Sequence, residues 1–293
     1  MKDGEGATRL GIALIAGCGA SICVHPLDVV RVNLQVDQAG ARVYKGTLDC
    51  MRSIARRQGL RGLYEGISAG MLRQITYGGP RMALYPALVD FFRQDGADNL
   101  SMPKKFACGA TAGGIASLMG VPSEVALVRM TADMKLNVED PLRRNYKSVV
   151  DALLRIVREE GVTTLWEGAG PTVSRAVLIN AGQLAMYSQV KETARLRFGL
   201  DGVPLQFFSS LVASVVAVGL SCPADVLKSR MQNMHPGEYL GTLDCARKIA
   251  KFEGVFSFWK GYAPATIKLA PHTVISFIIL DNLSKFLLGK EAL

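Results

Sequence analysis

The sequence predicts an all-α membrane protein in which six transmembrane helices form three related repeats, each with a short amphipathic helix on one side of the membrane. Two observations lead to this prediction. Hydrophobic residues make up 49% of the 293 residues and charged residues 20%, a balance that suits apolar spans joined by polar loops. In addition, two sequence blocks recur three times in the same order, which is the signature of a repeat architecture.

The recurring blocks divide the chain into residues 1–97, 98–199 and 200–293, three repeats that we expect to form one transmembrane domain. The first block begins at a proline, and its copies are Pro26–Arg31, Pro122–Leu127 and Pro223–Lys228. The second block lies downstream, and its copies are Gly59–Gly66, Gly161–Gly168 and Gly254–Gly261. Two ordered blocks in triplicate indicate that each repeat is one structural unit.

Each repeat is predicted to begin with a helix that runs through its proline. The apolar stretches before the prolines are Leu10–Val24, Phe106–Val121 and Phe207–Cys222. They are rich in small residues, which allow helices to approach closely in lipid. Because the pattern continues for about ten residues beyond each proline, we expect bends inside the helices at Pro26, Pro122 and Pro223.

Two further helices complete each predicted repeat. The short amphipathic helices are expected at Thr47–Gln58, Lys147–Glu160 and Thr242–Glu253. The long second helices are expected at Ile67–Arg93, Ala169–Arg197 and Tyr262–Phe286. No alternating pattern with hairpin turns predicts strands, and six helices of about 20 residues or more are long enough to cross a bilayer six times.

The charge pattern orients the chain and indicates its partner. Lysine and arginine crowd the loops inside the repeats, which places those loops on one face of the membrane and both termini on the other. The net charge of +9 suits an anionic partner. Nucleic acid is not expected, because no nucleic-acid-binding motif occurs and the basic residues are spread along the chain. We also expect no metal site, no cofactor and no catalytic arrangement.

A cation recurs at one depth in the three second helices. Arg73, Arg175 and Lys268 each lie seven residues after the last glycine of the second block, about two helical turns inside. Snorkelling of these side chains to the interface is the alternative explanation, but it fits three equivalent inner positions poorly. We expect no acid beside the three cations at this depth, so they would repel one another unless an anion lies between them. They therefore predict a site for an anion, and arginine can grip a carboxylate with two hydrogen bonds.

Polar side chains on the same helix faces extend this predicted site. Tyr77 and Arg81 follow Arg73 by four and eight residues, Gln183 follows Arg175 by eight, and His272 follows Lys268 by four. Residues at these spacings share one face of a helix. We therefore predict a substrate site formed by Arg73, Tyr77, Arg81, Arg175, Gln183, Lys268 and His272.

The triplicated Px[DE]xx[KR] block with its downstream aromatic-x-Gly block resembles the mitochondrial carrier family over essentially the whole chain. The resemblance implies a six-helix bundle with pseudo-threefold symmetry that functions as a monomer in the mitochondrial inner membrane, with both termini toward the intermembrane space. Arg73, Arg81 and Arg175 are similar to the cations of dicarboxylate-carrying members, whereas Lys268 stands where the resemblance leads us to expect arginine. The resemblance implies antiport of 2-oxoglutarate for malate by alternating access. Alternatives are a dicarboxylate/phosphate carrier, an uncoupling-protein-like anion/proton carrier and a non-transporting membrane scaffold.

The resemblance also implies a gate of ion pairs on the matrix side. In the family, the acid of one repeat pairs with the base of the next, which implies the pairs Glu124–Lys228 and Asp225–Arg31. Asp28 would need a base where this chain has Leu127, and Arg129 is an alternative partner for it. Gln35 and Gln232 occupy the positions of a bracing glutamine, whereas the middle repeat has Thr131.

Two weaker sets of positions follow from the same resemblance. The opposite, cytoplasmic gate retains only Asp90, Arg93, Lys191 and Asp281, so strong ion pairs are not expected there. Gly46, Gly241 and Gly261 lie in stretches similar to the cardiolipin-binding segments of the family, where free N–H groups at helix N-termini can hold a phosphate. Glu65 and Glu167 replace an expected base in the first two repeats.

Overall fold

A computed structural model describes residues 2–37, 43–93, 102–133, 136, 143–198, 202–235 and 237–288. The regular elements in these ranges are helices, as predicted, and their long members follow the threefold pattern of the sequence. The ten α-helices are α1 (Lys2–Val36), α2 (Thr47–Gly62), α3 (Ile67–Arg73), α4 (Gly79–Phe92), α5 (Met102–Ala132), α6 (Val149–Glu159), α7 (Ala169–Phe198), α8 (Gly202–Asn233), α9 (Thr242–Phe252) and α10 (Tyr262–Leu288).

The long helices begin and end close to their predicted positions. Pro26, Pro122 and Pro223 lie inside α1, α5 and α8, which continue for about ten residues beyond them. A π-helical turn at Gln74–Gly78 joins α3 to α4, so the first repeat also has one long second helix. Helix α1 extends further toward the N-terminus than the apolar stretch predicted.

The short helices pack under the ends of the proline-containing helices because each has one apolar face. In α6, Val149, Ala152 and Ile156 are buried at helical spacing and pack with Val121 and Val125 of α5. The α6 N-terminus is capped by Ser148, whose hydroxyl accepts a hydrogen bond from the Asp151 N–H at 3.3 Å, as serine commonly does. Helices α2 and α9 pack in the same way on α1 and α8.

The long helices form a closed ring in chain order. Helix α1 contacts α3, α4 contacts α5, α5 contacts α7, α7 packs along α8, α8 contacts α10, and α10 packs along α1. The proline-containing helices also contact one another on the inside. Within the described ranges, four helical segments are long and apolar enough by themselves to cross a membrane: Gly11–Val36, Ala107–Ala132, Phe208–Asn233 and Val255–Phe286. The second helices of the first and second repeats fall outside this set.

Three glycines fix the start of the second helices against the neighbouring repeat. Gly66, Gly168 and Gly261 have φ angles of +75°, +76° and +82°, in the left-handed region that favours glycine. A Cβ atom on Gly168 would lie 2.9 Å from Gln232 Cγ and 3.3 Å from the Lys228 carbonyl oxygen. Both the backbone angle and the lack of space therefore require glycine at this position.

We expect Gly168→Ala to destabilise the protein by about 1–3 kcal/mol, because alanine is strained at positive φ and its methyl group would displace Gln232. Gly170→Ala is the matched control, since a Cβ atom at this helical position meets nothing within 4 Å. Thermal unfolding of the detergent-purified variants measures the difference. Equal melting temperatures for the two variants would contradict this account.

Candidate functional site

The ring of helices encloses a cavity of about 380 Å³, lined by residues of all three repeats. The seven residues of the predicted substrate site all line it: Arg73, Tyr77, Arg81, Arg175, Gln183, Lys268 and His272. The Arg81 guanidinium lies 5.9 Å from the centre of the Tyr77 ring, and Gln183 Nε2 donates to Ser214 Oγ at 3.2 Å. The structure thus brings these residues together from all three repeats.

The expectation that no acid lies beside the three cavity cations was wrong. Arg73 Nη1 is 3.1 Å from Glu124 Oε1, and Arg175 Nε is 2.6 Å from Asp225 Oδ1. Each cation therefore pairs with the acid that follows the proline of the next repeat. The partners are 51 and 50 residues apart along the chain. They meet because α3 packs against α5 and α7 packs against α8.

The two ion pairs predicted for the matrix gate are present on the same acids. Arg31 Nη2 lies 2.5 Å from Asp225 Oδ2, and Lys228 Nζ lies 2.6 Å from Glu124 Oε2. Each of these two carboxylates thus contacts two bases, one from a proline-containing helix and one from a second helix. Their side chains are 5% and 8% exposed, and a buried carboxylate of this kind requires such pairing.

Asp28 is paired differently from the other two acids. Lys268 Nζ lies 2.7 Å from both of its carboxylate oxygens, and Leu127 occupies the position where the other repeats supply a second base. The alternative that Arg129 replaces this base was wrong, because Arg129 Nη1 lies 2.5 Å from Glu160 Oε1. Among the described residues, Lys268 is the single base in ion-pair contact with Asp28.

The positions of the bracing glutamine, Gln35, Thr131 and Gln232, also differ in the middle repeat. Gln35 Oε1 accepts a hydrogen bond from Ser229 Oγ of the third repeat at 2.7 Å. Gln232 is fully buried beside Gly168. The hydroxyl of Thr131 instead donates to the Leu127 carbonyl oxygen at 2.7 Å. In the middle repeat this side-chain hydrogen bond therefore stays within one helix.

A second set of polar links was not predicted from the sequence. Arg129 Nε donates to the Gln232 carbonyl oxygen at 2.9 Å, Arg230 Nε to the Gln35 carbonyl oxygen at 2.7 Å, and Asn33 Nδ2 to the Thr131 carbonyl oxygen at 2.9 Å. The donors all lie seven residues after a repeat proline. This common spacing could have predicted the links from the sequence. It was missed because the first repeat has Asn33 where the other two have arginine.

The two arginines of this set also bind the acids that end the short helices. Arg129 pairs with Glu160, and Arg230 pairs with Glu253 at 2.7 Å. The first repeat has Asn33 and Gln58 at the two equivalent positions. Gln58 Nε2 donates instead to the Leu136 carbonyl oxygen of the second repeat at 3.4 Å.

The residues predicted for the cytoplasmic gate make contacts along their own helices. Arg93 lies 3.9 Å from Asp90, and Lys285 lies 2.8 Å from Asp281. Lys191 Nζ is 5.8 Å from the centre of the Tyr187 ring. Exposed pairs within one helix contribute little to stability.

The predicted lipid-binding glycines precede helix N-termini. Gly46 and Gly261 line one cavity of about 190 Å³ between the first and third repeats, together with Lys45 and Lys260. Gly241 precedes α9, and its carbonyl oxygen accepts the Cys245 N–H at 3.0 Å.

Glu167 stands where the resemblance leads us to expect a base in the second repeat. Burial raises the pKa of its carboxyl group, an effect that the nearby Arg129 guanidinium partly offsets.

Comparison with known proteins gives one family and a set of close relatives. The family model described as mitochondrial carrier protein matches residues 3–96, 98–197 and 201–291. The chain is 44% identical over 280 residues to the mitochondrial 2-oxoglutarate/malate carrier protein of Bos taurus, covering 92% of this chain and 88% of that protein. The protein of the same name from Caenorhabditis elegans is 43% identical, covering 92% of this chain and 89% of the relative.

A relative with a different name is nearly as similar. The mitochondrial dicarboxylate carrier of Caenorhabditis elegans is 40% identical over 271 residues, which cover 92% of this chain and 90% of that protein.

We expect Asp225→Asn to destabilise the protein by about 3–5 kcal/mol, because it leaves the Arg31 and Arg175 guanidinium groups without their buried counter-charge. Asp90→Asn is the control, since it removes an exposed pair within one helix and should cost about 0–1 kcal/mol. Thermal unfolding in detergent, at one pH and salt concentration, compares the variants. Similar losses for both would show that the two-base arrangement at Asp225 contributes no special stability.

Proposed function

The chain belongs to the mitochondrial carrier family, and on that premise we propose that it exchanges 2-oxoglutarate for malate or related dicarboxylates by alternating access to its central cavity. The family makes it a multi-pass transporter of the mitochondrial inner membrane rather than an enzyme. The names and similarity of the relatives support the substrate pair. The residues that carry the exchange are argued below from the cavity.

The single observation that carries this proposal is the charge of the cavity and of the gate beneath it. Six cations line the two spaces: Arg31, Arg73, Arg81, Arg175, Lys228 and Lys268. Three acids accompany them, Asp28, Glu124 and Asp225. The excess of three positive charges attracts a doubly charged dicarboxylate and leaves a small positive remainder, which disfavours cations.

Because the cavity cations pair with the gate acids, substrate binding can weaken the ion pairs of the gate. A substrate carboxylate that binds Arg175 or Arg73 competes with Asp225 or Glu124 for the same guanidinium group. The acids then depend on Arg31 and Lys228, the bases of the proline-containing helices. Substrate binding thereby offsets part of the cost of separating the helices, as a ligand must if it is to shift a conformational equilibrium.

The remaining parts of the proposal follow the family resemblance. The three repeats act as one transmembrane domain and one monomer, with both termini toward the intermembrane space. Gly46, Gly241 and Gly261 contribute to cardiolipin sites, for which the shared cavity beside Gly46 and Gly261 offers Lys45 and Lys260 as phosphate partners. Asp90, Arg93, Lys191 and Asp281 form a weak gate at the cytoplasmic end.

A second candidate function is exchange of dicarboxylates for phosphate. Similarity to a mitochondrial dicarboxylate carrier at 40% identity favours it, and Lys268 presents a point charge that suits phosphate as well as carboxylate.

Arg175→Ala should lower the exchange of labelled malate for internal 2-oxoglutarate in proteoliposomes roughly 100-fold or more, because a charged group that makes two hydrogen bonds to the substrate is lost. Arg158→Ala is the matched control, since it removes the same charge from the exposed side of α6. Thermal unfolding establishes that both variants are folded. Unchanged exchange by folded Arg175→Ala would exclude Arg175 from the substrate site.

A panel of internal counter-substrates separates the two candidate functions. We expect labelled malate uptake to be rapid into liposomes loaded with 2-oxoglutarate or malate and close to the empty-liposome background with phosphate. Comparable uptake against internal phosphate would instead assign the dicarboxylate/phosphate function.

A further inference from the structure

The contact between α1 of the first repeat and α5 of the second, here called the α1–α5 seam, differs from the other two contacts between proline-containing helices. Val32, Val36, Val128 and Ala132 form an apolar cluster across it. The other two contacts are crossed by the ion pairs Arg31–Asp225 and Lys228–Glu124. The α1–α5 seam is therefore closed by apolar packing beside one partly exposed acid, Asp28, whose side chain is 19% exposed.

The polar links that cross the α1–α5 seam are also reduced. Leu127 replaces a base, Thr131 turns its hydroxyl to its own helix, and Asn33 retains one hydrogen bond where Arg129 and Arg230 also carry charge pairs. These differences occur at three levels of the same seam. As a result, the Lys268 ammonium is the group that pairs with the Asp28 carboxylate.

We propose that the matrix gate opens first at the α1–α5 seam, and that transfer of the Lys268 ammonium from Asp28 to the substrate starts this opening. A dicarboxylate that takes the Lys268 ammonium leaves Asp28 without a direct ion pair, with Arg73 and Arg31 acting on it only from a greater distance. Glu124 and Asp225 keep Lys228 and Arg31. An unpaired carboxylate beside an apolar seam is costly. Separation of α1 from α5 admits water to Asp28 and removes that cost.

This inference rests on the proposed dicarboxylate exchange, and it assigns a separate role to one residue pair. Lys268 acts as a substrate contact and as the base of Asp28, so substrate and gate compete for one ammonium group. Supplying Asp28 with a second base should uncouple the two roles. Position 127 is the natural place for it, because the equivalent residues Arg31 and Lys228 already serve Asp225 and Glu124.

The test compares wild type with Leu127→Lys in malate/2-oxoglutarate exchange by proteoliposomes. We expect the turnover number of Leu127→Lys to fall about tenfold, within the usual range of coupling between sites, while KM changes less than about twofold. The KM is retained because the new ammonium holds Asp28 and leaves Lys268 available to substrate. Thr163→Lys, which adds the same charge at an exposed site of the same repeat, should behave as wild type.

Thermal unfolding without substrate provides a second readout. Leu127→Lys should melt at or above the wild-type temperature, because Asp28 gains a counter-charge. If Leu127→Lys does not fold, Leu127→Gln replaces it, since a neutral donor to Asp28 should lower turnover in the same direction by a smaller factor.

Three outcomes would overturn the inference: wild-type turnover in a folded Leu127 variant, a raised KM with unchanged turnover, or an equal loss in Thr163→Lys. Failure of the proposed function itself is read separately, on the wild type. If wild-type liposomes exchange neither 2-oxoglutarate nor malate, the dicarboxylate proposal fails whatever the Leu127 variants do.

Discussion

Three carboxylates that follow the helix prolines organise this bundle. An ionised group at membrane depth costs about 2.5–3.5 kcal/mol even on the lower scales, so each carboxylate requires a cation beside it. The bases come from other repeats, because the residues of one helix cannot surround their own acid. Asp225 takes Arg31 from the first repeat and Arg175 from the second, and in doing so joins all three repeats.

The same interaction connects substrate recognition with the gate. The cations that line the cavity are the partners of the gate acids, so the two sites share their charges and neither can change alone. In this respect the protein itself supplies, in Glu124 and Asp225, the carboxylates that a substrate must displace from Arg73 and Arg175. The positive excess remains after that displacement, and it accounts for the attraction of a dicarboxylate.

Departures from threefold symmetry concentrate at one contact. Leu127, Thr131 and Asn33 all weaken the polar connection between the first and second repeats, and apolar side chains fill the same contact. A buried ion pair is weak evidence for stability. The lack of one between α1 and α5 therefore does not make this contact less stable than the other two. Its distinction is that the charge of Asp28 depends on the Lys268 ammonium, a group that also faces the cavity.

The sequence by itself determined the helical repeats, the helix boundaries to within a few residues for most elements, and the seven positions that line the cavity. These features follow from local periodicity and from repetition, both of which are written along the chain. It also indicated the pairs Arg31–Asp225 and Lys228–Glu124 through the family resemblance. The symmetry breaks were visible as well, although their consequences were not.

Only the tertiary structure decided which acid balances each of the three cavity cations Arg73, Arg175 and Lys268. The sequence placed Arg73, Arg175 and Lys268 at one depth with no acid nearby, since Asp28 is 240 residues from Lys268. Closure of the ring brings α10 against α1 and makes that distance along the chain irrelevant. The pairing of Asp28 with Lys268, and of Arg129 with Glu160, therefore depends on packing between helices, which a pattern along one chain does not specify.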